Sequence, residues 1–280
     1  MKKKILTETH LKKFEAFLRR EERSAATVEK YLRDTRRFFA FAETSPLDKK
    51  TVLAYKKLLL EEYAVTSANS MLASMNCFLR FSGFRSLCVK QFKIQREAYR
   101  PEEKELLREE YIRLIETAKK KRNDRLNLII QTICGTGIRV SELQFITVDA
   151  VKKGKAVVNC KGKHRHVFIV SALRQKLLRF IKESRIPQGP VFVTRNKKPI
   201  SRHNVWREMK SLCKEAGVSE SKVFPHNLRH LFARAFYGIE KDIAKLADIL
   251  GHANINTTRI YIATTTTEHR RKMEAMRLII

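Results

Sequence analysis

The stretch KAVVNCKGKHRHVFIV, residues 155–170, places β-branched residues on both sides of a short basic tip. Through most of the remaining 280 residues, apolar side chains recur three and four apart. One hairpin among long helical stripes predicts a mainly α protein with a small antiparallel β-sheet (α+β). A second short strand is expected in GPVFVT, residues 189–194.

The first 90 residues carry four helical patterns. Leu11, Phe14, Phe17 and Leu18 mark one, and Val28, Tyr31, Leu32, Phe38, Phe39 and Phe41 mark the next, with Ser24 placed to cap it. Two more run over 48–63 and 66–81, the last stopped at Gly83. These predict a helical domain over 1–90. KQFKIQREAYRPEEKE is charged, weakly periodic and broken by Pro101, so a linker is expected over 91–104. A tether of this kind lets two lobes close around a duplex. A second domain is then expected over 105–280, with helices over 108–120, 124–134, 172–184, 202–216, 227–237 and 241–250.

Charge names the partner class. Lys and Arg number 59 against 29 Asp and Glu, a net of +30. The excess is spread over the chain, +11 in residues 1–100 and +19 in the remainder, which argues against a single basic tail. Two folded parts that both touch a polyanion fit this distribution, and nucleic acid is the first candidate. A basic protein without chemistry has the same charge, so charge alone does not establish an enzyme.

No apolar run approaches the roughly 20 residues of a membrane span, and MKKKILTETH lacks the apolar core of a signal peptide. A cytoplasmic protein with no membrane partner is expected. Cys77, Cys88, Cys134, Cys160 and Cys213 are odd in number and widely spaced without a CxxC pair, so neither a disulfide framework nor a zinc site is suggested.

Five segments carry residues suited to a phosphate. In GTGIRVSEL, Arg139 follows two glycines where a helix is expected to begin, with Glu142 one turn on. In FPHNLRHLFAR, Pro225 sets a helix start and His226 and Arg229 are three apart, on one face. In KDIAKLADILGH, Gly251 is a natural left-handed cap that sends His252 off at a fixed angle. Tyr261 follows nine residues later, on a short helix expected to begin at Asn254 or Asn256. The hairpin tip supplies Lys161 and Lys163.

Each has a plainer reading alone: a salt-bridged surface arginine, a solvated basic face, a structural histidine, a core tyrosine. A phenol is a poor nucleophile by itself. Together the residues supply what attack on a phosphodiester needs without a metal: cations for the developing charge, a proton acceptor and a proton donor.

In this order the motifs resemble those of the tyrosine recombinases, or phage integrases, with Xer-like and transposon integrases nearest. Arg in GTGIRVSEL, Lys in CKGKHRH, His-x-x-Arg in HNLRH, His in LGH and Tyr in TTRIY follow the family's sequence of catalytic residues over about 105–270. The resemblance implies a helical core-binding domain followed by a catalytic domain. It also implies that Tyr261 forms a 3′-phosphotyrosyl link, that Arg139 and Arg229 bind the nonbridging oxygens, that His226 accepts the tyrosine proton, and that His252 bonds to the phosphate. The resemblance further implies that the hairpin lysine protonates the leaving 5′ oxygen. The family usually has Gly-Lys-Gly at the tip where this chain reads Cys160, Lys161, Gly162, Lys163, so Lys161 is favoured with Lys163 as the alternate.

The implied partners are double-stranded DNA with an inverted-repeat core site and further copies of the chain in a DNA-bound tetramer, with no cofactor. The amphipathic tail TTEHRRKMEAMRLII is expected to pack on a neighbouring protomer. Two alternatives stand beside this: a type IB topoisomerase, which shares the chemistry without exchanging strands, and a DNA-binding regulator whose tyrosine is inert.

Overall fold

The computed structural model describes residues 8–42, 47–94, 102–160, 163–262 and 266–276. The chain divides into two compact units, Met1–Arg96 and Glu97–Ile280. Described residues are mostly helical with one two-stranded antiparallel sheet.

The first unit is built from α1 (Glu8–Arg20), α2 (Ala25–Ala42), α3 (Lys49–Glu62) and α4 (Val65–Phe81). The periodic apolar residues become its core. Leu11, Phe14 and Leu18 of α1 pack with Val28 and Leu32 of α2 and Phe78 of α4, where the Phe14 and Phe78 rings meet edge to face at 5.3 Å. The Ser24 hydroxyl accepts from the Thr27 backbone N–H at 3.3 Å, as its position before α2 predicts. Asp34 is buried on α2 and its carboxylate is satisfied by Lys30 Nζ at 2.5 Å and Ser74 Oγ at 2.9 Å. Beyond α4, two asparagine amides pair with backbone as a strand would. Asn76 bonds both polar groups of Val89, and Asn69 both of Phe92, at 2.8–3.0 Å, fixing the chain's exit from the unit. Residues 95–101, within the stretch read as linker, lie outside the described residues.

The second unit centres on α6 (Asp124–Thr136), whose Leu126, Ile129, Ile130 and Ile133 are buried. Around it pack α5 (Arg108–Lys120), α8 (Ser171–Glu183), α9 (Arg202–Lys210) and α11 (Pro225–Glu240). After α6 a 3₁₀ turn spans Val140–Phe145, and α7 (Val148–Lys153) leads to β1 (Lys155–Cys160) and β2 (Lys163–Phe168). The ladder runs from Lys155 opposite Phe168 to Cys160 opposite Lys163. The inward face carries Ala156, Val158 and Val167, all buried, and the side chain opposite Val158 is Arg165. Short helices complete the unit: α10 (Cys213–Ala216), α12 (Ile243–Leu250), α13 (Ile255–Arg259) and α14 (Thr266–Ala275).

Three expectations are corrected. Segment 189–194 forms no strand: Val191 N–H bonds Ile146 O, and Ile200 N–H bonds Phe192 O, giving two isolated bridges because its two ends pair with different segments, Pro190 with Thr147 and Val193 with Pro199. The helix expected over 202–216 breaks at Ser211–Leu212 into α9 and α10. The segment after Arg139 is a 3₁₀ turn and not an α-helix; the Glu142 side chain caps it, accepting from the Arg139 amide at 2.9 Å.

Gly137 ends α6 at φ +65°, and a Cβ there would lie 2.4 Å from Phe232 Cδ1 on α11. Gly217 has a similar φ, +59°, with open space around it. Gly217→Ala is expected to cost about 1 kcal/mol for the left-handed conformation alone. Gly137→Ala should add about 1–3 kcal/mol of overpacking to that. Urea unfolding followed by the fluorescence of Trp206, the single tryptophan and part of the second unit, measures both. Equal losses would show that the α6–α11 contact yields without strain.

Candidate active site

The C-terminus of α12 organises the site. A helix leaves its last carbonyls unpaired and carries partial negative charge there. The chain itself takes two of them, through Gly251 N–H to Asp248 O at 3.0 Å and His252 N–H to Ala247 O at 2.9 Å, with Gly251 left-handed at φ +65°. Each of the next three carbonyls accepts from a different arginine. Arg165 Nη1 donates to Ile249 O at 3.0 Å, Arg229 Nη2 to Leu250 O at 2.6 Å, and Arg139 Nη2 to Gly251 O at 3.3 Å.

Arg229 is 1% exposed, the largest fully buried side chain described. An uncompensated cation there would cost several kcal/mol. Its guanidinium is met by carbonyl dipoles at two helix ends, Leu250 O and Gly137 O, the latter at 2.5 Å from Nη1. Nε is buried without a hydrogen-bond partner. Burial first, then the Arg139 and Arg165 charges, pulls its pKa down to about 10, so it stays cationic at neutral pH.

Arg139 is more open, its side chain 36% exposed, and Nη1 donates to Glu142 Oε1 at 3.0 Å. Glu142 is 3% exposed and is shared with Arg165. Two of the three guanidiniums share the Glu142 carboxylate and the third, Arg229, meets only carbonyls and His252 in these contacts, so the cluster keeps an excess of positive charge suited to an anion.

Arg229 Nη2 also lies 3.0 Å from His252 Nε2. A guanidinium only donates, so Nε2 accepts and the ring proton sits on Nδ1, 2.9 Å from the buried hydroxyl of Thr258. Burial, then Arg229, Arg139 and Arg165, lowers the His252 pKa to about 4, and the ring is neutral at physiological pH.

Tyr261 follows α13, which Asn254 caps by accepting from Asn256 N–H at 2.8 Å. It lies just past the helix and is 5% exposed, packed with Ala233, Leu246 and Leu250. Its hydroxyl is 3.1 Å from Nε2 of exposed His226, which begins α11 behind Pro225. His230, one turn on from His226, stacks on the phenol ring at 4.0 Å between centroids and 21° between planes.

Arg139, His226, Arg229, His252 and Tyr261 are thus brought together. Lys161 lies outside the described residues, as does the side chain of Lys163. Sequence reasoning missed His230, which the four-residue step from His226 places on the same helix face, and Arg165, which the period-2 register places inward with Val167. Among the described residues no three His, Cys, Asp or Glu side chains gather as a metal ion requires, and no helix is long and apolar enough to cross a membrane.

A folded-state histidine held at about 4 against an ordinary 6.5 takes up its proton in the unfolded chain first. Stability of the second unit is therefore expected to fall as pH drops from 6.5 towards 4. His252→Gln, which has no proton to bind in this range, should flatten that slope in urea titrations at successive pH values. An unchanged slope would place the titration elsewhere.

Comparison with known proteins identifies the family. A model described as the phage integrase family matches residues 104–268. Tyrosine recombinase XerA of Pyrococcus furiosus is 28% identical over 287 residues, covering 100% of this chain and 98% of its own length. The XerA of Thermococcus kodakarensis is 30% identical over 280 residues, covering 96% and 95%. Among solved structures, a lambda integrase tetramer bound to a Holliday junction shares the fold, with a TM-score of 0.72 at 17% identity over 91% of this chain and 76% of that one. The chain belongs to the phage integrase family and is a tyrosine recombinase.

Proposed function

We propose that this site-specific DNA recombinase cuts and rejoins strands through a 3′-phosphotyrosyl intermediate on Tyr261. The observation that carries the reading is the Tyr261 hydroxyl at 3.1 Å from His226 Nε2, with the Arg229 guanidinium 5.9 Å from the centre of the phenol ring. With Nε2 unprotonated, the phenol O–H donates to it, and His226 takes the proton as the phenolate oxygen attacks phosphorus. Arg139 and Arg229 hold the nonbridging oxygens as negative charge builds on them. The bond to the 5′ oxygen breaks, and Lys161, which enters on the sequence alone, gives that oxygen a proton.

His252 changes partner on binding. Before DNA arrives its Nε2 accepts from Arg229. A phosphate oxygen that takes over this donor frees Nε2, and its negative charge offsets the cations that keep the ring neutral. His252 then takes a proton and donates to the phosphate.

The phosphotyrosine conserves the energy of the broken bond, so the 5′-hydroxyl of another strand reverses the step and exchanges partners. The substrate is double-stranded DNA with an inverted-repeat core, bound in the cytoplasm on the nucleoid by a tetramer of this chain. The excess of basic residues supports a polyanionic partner, and the exposed Met273 of α14 and Met276 just after it support an apolar contact between copies.

Nicked suicide duplexes from the DNA flanking the gene, incubated in EDTA, are expected to give a covalent protein–DNA adduct on a denaturing gel. Tyr261→Phe should bind with unchanged affinity and give none; recombination retained by this variant would defeat the assignment. Relaxation of random supercoiled DNA without strand exchange would point to topoisomerase activity instead. Lys161→Ala is expected to cleave a bridging 5′-phosphorothiolate far better than a normal phosphate, since a thiolate leaves without a proton. Rescue confined to Lys163→Ala would move the acid to that residue.

A further inference from the structure

Arg165 is not among the motif residues, yet its placement is as constrained as theirs. It points inward from β2 with its side chain 12% exposed, bonding Ile249 O through Nη1 and the Glu142 carboxylate through Nη2. A Cβ on Gly251 would lie 2.6 Å from its Cδ and 2.8 Å from its Nε, so the side chain lies flat against the turn that delivers His252. With both ends of its fork engaged and little of it exposed, Arg165 is poorly placed to touch a phosphate itself.

Its influence runs through Glu142. Two guanidiniums and one carboxylate leave a net single positive charge, and Arg139 is the more exposed of the two cations, at 36% against 12%. Without Arg165 the Arg139–Glu142 pair would be neutral. The released carboxylate oxygen could then take a second donor of Arg139 in a bidentate fork and draw it away from the phosphate. Ile249 O would lose its donor at the same time, loosening the turn before His252.

We propose that Arg165 is a positioning residue for strand cleavage: by occupying Glu142 and the Ile249 carbonyl it keeps Arg139 charged and open towards the scissile phosphate. The inference rests on Arg139 binding that phosphate, as in the preceding section.

The test is single-turnover adduct formation on a nicked suicide duplex, comparing wild type with R165A, R165K, E142Q and R165A/E142Q. Duplex affinity and thermal melting are recorded for each. R165A is expected to cleave about 10²-fold more slowly, the scale of a group misplaced by an ångström, with DNA affinity unchanged. A bridging 5′-phosphorothiolate should not rescue it, because leaving-group protonation is intact. R165K, which keeps the charge without the fork, should fall between. The decisive arm is R165A/E142Q: removing the carboxylate restores the net charge at Arg139, so the double variant should cleave faster than R165A, although a second buried partner has been lost. A purely structural role predicts the opposite order.

A double variant no faster than R165A, or R165A at the wild-type rate, overturns the proposal. Should R165A not fold, R165Q keeps one donor for Ile249 without the charge and is compared with R165Q/E142Q in the same way. Wild-type adduct, and none with Tyr261→Phe, in the same gels separates a failure here from a failure of the recombinase mechanism; no wild-type adduct removes both.

Discussion

Three consecutive carbonyls at the end of α12 hold the site together. Ile249, Leu250 and Gly251 each accept from a different guanidinium, arriving from β2, from α11 and from the turn after α6. A helix C-terminus suits this role because its unpaired carbonyls point outward from a common end and share the negative pole of the dipole. Like charges that would repel one another in a bare cluster are thereby brought together, with Glu142 as the one carboxylate bonded to two of them. Glycine at 251 is required on two grounds: its left-handed φ, and the closeness of Arg165 to the position a side chain would take.

The same helix end couples the arginine cluster to the placement of Tyr261. His252 leaves the turn with one ring nitrogen on Arg229 and the other on Thr258, and Thr258 belongs to α13, the helix directly before Tyr261. The tyrosine ring is then held by packing with Ala233, Leu246 and Leu250 and by the imidazole of His230. Anything that shifts the end of α12 moves the anion-binding cations and the phenol together. Tyr261 is 5% exposed while His226, its hydroxyl partner, is exposed, so the phenol hydroxyl is reached from the His226 side.

Much of the local structure was legible because its causes are local. Ser24 caps α2, Pro225 opens α11 and Gly251 closes α12, each through the backbone chemistry of a single residue type. The strand expected over 189–194 failed for the converse reason. Val191 and Val193 favour a ladder, yet a strand needs consecutive pairing with one partner, and this segment bridges once to Thr147 through Pro190 and once to Pro199 through Val193. Between α9 and α10 the helical spacing continues through Ser211, but Leu212 N–H bonds Met209 O three residues back and interrupts the α-helical ladder.

The order of motifs in the sequence determined the family and named Arg139, Lys161, His226, Arg229, His252 and Tyr261 as candidates, because each motif is a short local run of residues. It determined the polyanionic partner as well, since net charge is a sum over residues and does not depend on where they lie. Tertiary structure alone decided that Arg229 is buried while Arg139 stays open, that His252 is neutral with its proton on Nδ1, and that Arg165 and His230 belong to the site. These depend on which groups meet across gaps of 20 to more than 100 residues. Dielectric surroundings, shared carboxylates and stacked rings arise only when the chain closes on itself.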